Sequence, residues 1–161
     1  MQVFLPTHLP MKSNQSSDPV SLEAYLRNAA AEGIGASPSD FIAQGARFVT
    51  PEALRTLRGL LPQVGQKARG IKDSDRLRQR LDLLALYAAD EPARFGGSLE
   101  VERQVGFVLY YFLKGFDVIP DSIPEVGYVD DALLVETVLR RHEAELRAHW
   151  QRQGRDWPER W

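Results

Sequence analysis

Phe116-Asp117-Val118-Ile119-Pro120-Asp121-Ser122-Ile123-Pro124-Glu125-Val126-Gly127-Tyr128-Val129-Asp130-Asp131 lies between two strongly apolar stretches and decides how the rest of the chain is read. Two prolines bar a regular helix here and push Ile119 and Ile123 toward extended geometry. Gly127 supplies freedom for a positive φ. Ile119, Ile123 and Val126 are apolar in a connection, where polar residues are usual, so the turn is expected to pack inward. A buried turn must satisfy its own backbone groups, and the aspartates are the natural means.

The stretch before the turn reads as a helix capped by Ser98 and running to about Phe116. Val105, Val108, Leu109, Phe112 and Phe116 form one stripe, while Phe107, Tyr110 and Tyr111 fill the other sides. A helix apolar nearly all round sits at the centre of a core or against lipid. After the turn, a helix starting between Tyr128 and Asp131 and ending near Trp150 presents Val135, Val138, Leu139, His142, Leu146 and Trp150 on one face. The two form an apolar hairpin, about 99–116 and 128–150, joined by the Asp/Pro turn.

Upstream, Asp18-Pro19, Ser37-Pro38 and Thr50-Pro51 each place a capping oxygen before a proline at the first helical position. Helices are expected to start near 19, 38 and 51. The third carries Leu54, Leu57, Leu61, Val64, Ala68 and Ile71 at helical spacing, and Pro62 should kink it or split it in two. Ser74 caps a helix with Leu77, Leu81, Leu84 and Ala88 on one face, closed by Glu91-Pro92 and Gly96-Gly97. No strand or hairpin signal competes. The expected fold is all-α: a single domain of five to seven helices around the apolar hairpin. Residues 1–17 read as a disordered arm, 18–59 as N-terminal helices of open assignment, 60–150 as the helical domain and 151–161 as a frayed tail.

The turn closely resembles the signature of the YkvA-like family (domain of unknown function 1232), a bacterial helical family. Its features are Asp117-Val118-Ile119-Pro120-Asp121, Ile123-Pro124 and Gly127-Tyr128-Val129-Asp130-Asp131. Leu61-Pro62-Gln63-Val64-Gly65-Gln66-Lys67 and the final helix extend the likeness over roughly 60–150. The resemblance implies the helical fold and structural roles for Pro120, Pro124, Gly127, Tyr128 and Lys114, but no activity. Many relatives are described as membrane-associated, linked to the endomembrane system. Two departures stand out. Lys114-Gly115-Phe116 replaces the Ser-Pro common before the first Asp, and Lys114, Glu125 and Glu136 make this chain more polar than many relatives.

The chain's 161 residues, 43% of them hydrophobic and 26% charged, suffice for a packed core. The absence of cysteine excludes disulfides, thiol catalysis and thiolate metal sites. Two readings of the acids follow. Asp117, Asp121, Asp130 and Asp131 could converge into an oxygen site for Mg²⁺, Mn²⁺ or Ca²⁺ that activates water as a metal-dependent hydrolase; no obligatory cofactor is expected. Alternatively each caps a turn or helix start. Asp131 is in register with Val135, Val138 and His142, so it should project inward and need a partner, for which Lys114 is the preferred choice. His142, on the apolar stripe, reads as a hydrogen-bonded core residue. Neither a Ser–His–Asp order nor a Gly-rich phosphate loop is present.

Charge is unevenly spread. Arg55–Arg80 holds eight Lys/Arg and two Asp, net +6, while Leu81–Glu145 holds five Lys/Arg and thirteen Asp/Glu, net −8. Opposite-sign helices packing together is one reading. The other is an anionic partner met by Arg55, Arg58, Lys67, Arg69, Lys72, Arg76 and Arg80, either a protein or a membrane surface. The tryptophans and arginines of the tail also suit an interface. Nucleic acid is not favoured, because the chain is net acidic and carries no recognised module. No signal peptide or spanning segment is visible, so the expected location is cytoplasmic, with peripheral membrane contact. The leading functional expectation is a non-catalytic scaffold or adaptor.

Overall fold

A computed structural model describes residues 21–114 and 128–158, apart from the side chains of residues 30 and 114. The elements in chain order are α1 (Leu22–Glu32), α2 (Pro38–Ala46), α3 (Pro51–Arg69), α4 (Asp75–Ala89), a 3₁₀ turn (Pro92–Phe95), α5 (Leu99–Lys114), α6 (Val129–Arg141) and α7 (Glu143–Arg152). The protein is a single all-helical domain with no strand among the described residues.

The helix starts are local chemistry. Ser37 and Thr50 accept the amides of Asp40 and Ala53 at 3.2 and 3.0 Å, with Pro38 and Pro51 at the first helical positions. Ser74 and Ser98 do the same for Leu77 and Val101. Asp18-Pro19 lies outside the described residues, and Ser21 caps α1 through Ala24 at 3.1 Å. Pro62 does not split α3, which runs through it from Pro51 to Arg69. Pro62 is exposed, so the carbonyl its ring deprives of a donor sits on the solvent side.

α5 is the centre. It packs against α2, α3, α4 and α6, and its Val105, Phe107, Leu109, Tyr111 and Phe112 are fully buried. Its lack of a polar side follows from having neighbours all round. The N-terminal helices belong to the same core. The Tyr25 ring stacks on Phe41 with centroids 5.2 Å apart, and both meet Phe107 edge-on at 5.7 and 5.4 Å. The Tyr25 hydroxyl donates to the Phe41 carbonyl at 2.8 Å.

Two sequence expectations change. The last helix is two, α6 and α7, meeting at His142 with φ −116° and ψ 21°. The bend coincides with a side-chain tie from His142 Nε2 to Gln104 Oε1 at 2.6 Å, and it brings α7 against α4. The tail beyond 151 is not loose as far as it is described. Arg155 donates to both Asp90 carboxylate oxygens at 2.9 and 3.3 Å and lies over the Trp150 ring at 4.7 Å. Trp150 Nε1 donates to the Asp156 carbonyl at 3.0 Å, and Trp157 packs on the core.

Gly59 tests the solvent face of α3. A Cβ there would meet nothing within 4 Å. Gly59→Ala should therefore return the helix-propensity difference of about 1 kcal/mol as added stability, a rise in Tm of about 2–4 °C in a thermal melt.

Candidate functional site

α3, α4, α5 and α6 bring four helix ends together at one pole: the end of α3, the start of α4, the end of α5 and the start of α6. Lys67, in the last turn of α3, donates to the Phe112 carbonyl in the last turns of α5, and its ammonium lies 4.7 Å from the Phe112 ring centroid. A cation placed there meets the negative end of the α5 dipole. The Tyr128 ring packs 6.3 Å from Phe112. On the first turn of α6, Asp130 is half-buried and Asp131 is only 1% exposed, the inward orientation its register implies. Acids in the first turn also suit the positive end of α6.

Asp117, Asp121, Pro120, Pro124 and Gly127 lie outside the described residues, as do the Lys114 side chain expected to pair with Asp131, the arm 1–17 and residues 159–161. The structure thus places two of the four expected aspartates, adjacent in sequence. Among the described residues no group of three His, Asp or Glu is arranged to hold a metal ion.

The seven basic residues expected to form a surface divide. Three turn inward. Arg58 is half-buried, with Nε 3.1 Å from Glu91 and Nη1 3.5 Å from Glu102 of α5. Lys67 is held at the end of α5. Arg80 is half-buried on α4; burial lowers its pKa, Glu136 of α6 opposes that shift, and Arg76 and Arg140 add to it. Arg55, Arg69, Lys72 and Arg76 are exposed and form no ion pair among the described residues. Arg69, Lys72 and Arg76 flank the α3–α4 turn, which Arg78 braces through Asp75 and the Ile71 carbonyl. Arg55 lies near the other end of α3. Two cations of the basic segment therefore face acids of the acidic one across helices, and three gather exposed at one pole.

Several polar residues inside the body escape sequence reading. Glu102 is 3% exposed; burial raises its pKa, opposed by a hydrogen bond from the Ala93 amide at 3.3 Å and by Arg58. His149 is 2% exposed, with Nε2 2.8 Å from Asp90 Oδ2. Burial works against ionisation of Asp90, but hydrogen bonds from Arg155 and His149, and their charges, outweigh it and hold the carboxyl below its usual range. His142 is hydrogen-bonded, as expected, though half-buried; burial lowers its pKa. Because Gln104 Nε2 donates to Glu100, its Oε1 accepts, and His142 Nε2 carries the proton. One signal was available for His149: it stands three residues after Leu146 on the same helical side.

Residues 104–136 match a protein family of unknown function, DUF1232. Over that stretch the match agrees with the resemblance to the YkvA-like (DUF1232) family. It spans most of α5, residues 115–128 and the first part of α6. No curated protein and no solved structure matches the chain. Of the basic residues of α3, Lys67 is held by the matched stretch, at the Phe112 carbonyl, whereas Arg58 pairs with Glu91 and Glu102 outside it. Among the described residues, no helix is long and apolar enough to cross a membrane.

Proposed function

We propose that the protein is a non-catalytic helical adaptor. It docks on an anionic surface, either the headgroup layer of a membrane or an acidic partner protein, through the pole where α3 turns into α4. The observation that carries this reading is the set Arg69, Lys72 and Arg76, exposed and without an ion pair among the described residues, on a turn held rigid by Arg78. Side chains that stay hydrated in the free protein meet an anionic plane with little desolvation, and each contributes about 1 kcal/mol near such a surface. Val129 and Leu133, exposed on the first two turns of α6, add apolar area at the same pole.

Flotation with vesicles tests the membrane form. The protein should float with vesicles containing anionic lipid and stay behind with neutral ones. Replacing Arg69, Lys72 and Arg76 together by Gln should weaken binding by roughly ten-fold or more, and high salt should do the same. Recovery entirely in the soluble fraction with anionic vesicles would remove the membrane form and leave an acidic protein as partner.

A further inference from the structure

Where the C-terminal end of α2 meets the first turns of α5, the surface opens into a groove of about 300 Å³. Ala43, Ala46 and Leu99 give it apolar walls, and Arg47, Arg103 and Glu100 border it, one positive charge in excess. Gln104 also lines it, but its amide is occupied: Nε2 donates to Glu100 at 3.3 Å and Oε1 accepts from His142 at 2.6 Å. The two cations are not occupied. Arg47 is exposed and forms no ion pair among the described residues. Arg103 is half-buried, and its Nε is shut off from solvent with no hydrogen-bond acceptor. Its guanidinium forms no ion pair among the described residues, so its charge stands uncompensated beside the groove.

The geometry points to a binding site for a small aliphatic carboxylate, its chain on Ala43, Ala46 and Leu99 and its carboxylate between Arg103 and Arg47. Guanidinium groups match carboxylate geometry better than any other side chain does. The volume falls at the lower end of the range for small-molecule sites, so the ligand is short-chained. Glu100 repels a second negative charge, which favours a monocarboxylate over a phosphate or a dicarboxylate. This site lies on α2 and α5, away from the α3–α4 turn, and does not depend on the adaptor reading.

Calorimetric titration of the whole chain with hexanoate, hexanol and inorganic phosphate tests it. Hexanoate should bind one to one, and the other two more weakly by roughly ten-fold or more, each lacking one half of the recognition. Arg103→Met, which keeps the apolar stem, should lower hexanoate affinity by a similar factor without lowering Tm. No binding of hexanoate, or hexanol or phosphate binding as well as hexanoate, overturns the site. So does unchanged affinity in Arg103→Met. If Arg103→Met does not fold, the exposed Arg47→Gln replaces it, and the wild-type comparison of three ligands stands by itself.

Discussion

Arg58→Met should lower the stability of the protein by about 3 kcal/mol at pH 7 in a urea unfolding titration, because it leaves the Glu102 carboxylate buried without its cation. Removing one partner of a buried pair costs about 3–5 kcal/mol. The lower figure applies here, since the contact is 3.5 Å long and the Arg58 side chain is 23% exposed. Methionine retains the stem, so packing loss is small. Glu91 aggravates the deficit: Arg58 stands between two carboxylates, 3.1 Å from Glu91, and only Arg94 then remains on Glu91. The pH dependence has a definite sign. Burial, the largest influence, raises the folded-state pKa of Glu102 above its ordinary 4.5. The folded protein therefore holds that proton more tightly than the unfolded chain. Its contribution is fully present below 4.5 and is lost as pH rises through the folded value. Arg58→Met raises that value further, so its deficit should be largest at neutral pH and shrink as pH falls toward 4.5. Asp90, whose pKa is lowered, loses its contribution only below 3.8 and stays outside this window. Adding Glu102→Gln to Arg58→Met should restore most of the lost stability. A deficit of equal size at pH 5 and pH 7 would mean that Arg58 acts through packing alone.

What the sequence makes legible is what local chemistry decides. The caps at Ser37, Thr50, Ser74 and Ser98 are short-range hydrogen bonds, so the residues themselves announce four helix starts. The centrality of α5 is legible for a different reason: a helix apolar nearly all round belongs at the centre of a core or against lipid, and the former is what its neighbours provide. The break at His142 is not legible, because no Pro or Gly marks it and the partner, Gln104, lies 38 residues away. The tail fails to read for the same reason. Arg155 and its anchor Asp90 are 65 residues apart, and nothing near Gly154 signals that the chain turns back. At the candidate site the basic residues look alike in sequence. Register against α5 sorts them, turning Arg58 and Lys67 toward it and leaving Arg55 and Arg69 outside. Asp131 could be placed inward from its spacing, because one helical period fixes it relative to Val135 and Val138.

Gly45→Ala sets two rules against each other, and magnitudes decide between them. In a helix interior alanine is favoured over glycine by about 1 kcal/mol, so the substitution in α2 would stabilise if space allowed. It does not. A Cβ at Gly45 would lie 2.2, 2.4 and 2.6 Å from three atoms of the Phe107 ring. That ring has nowhere to go: Phe107 is fully buried and is met edge-on by Tyr25 and Phe41. The backbone of α2 must move instead. Overpacking of this kind costs about 1–3 kcal/mol and occasionally more, and with overlap on a rigid ring the upper figure outweighs the propensity gain. The expected result is a net loss of about 2 kcal/mol, against the gain expected for the same exchange at Gly59. Phe107→Leu alone should also destabilise, by leaving ring volume unfilled. Together the two should lose less than the sum of the singles, because leucine vacates the space the new methyl needs; a double-mutant cycle reads that coupling directly. Strict additivity would show that Gly45 and Phe107 do not share one constraint. The same contact seats α2 on α5 beside Ala43, Ala46 and Arg47. A shift of α2 large enough to admit the methyl would also move one wall of the carboxylate groove, so Gly45→Ala should weaken hexanoate binding although no atom of residue 45 lines the groove.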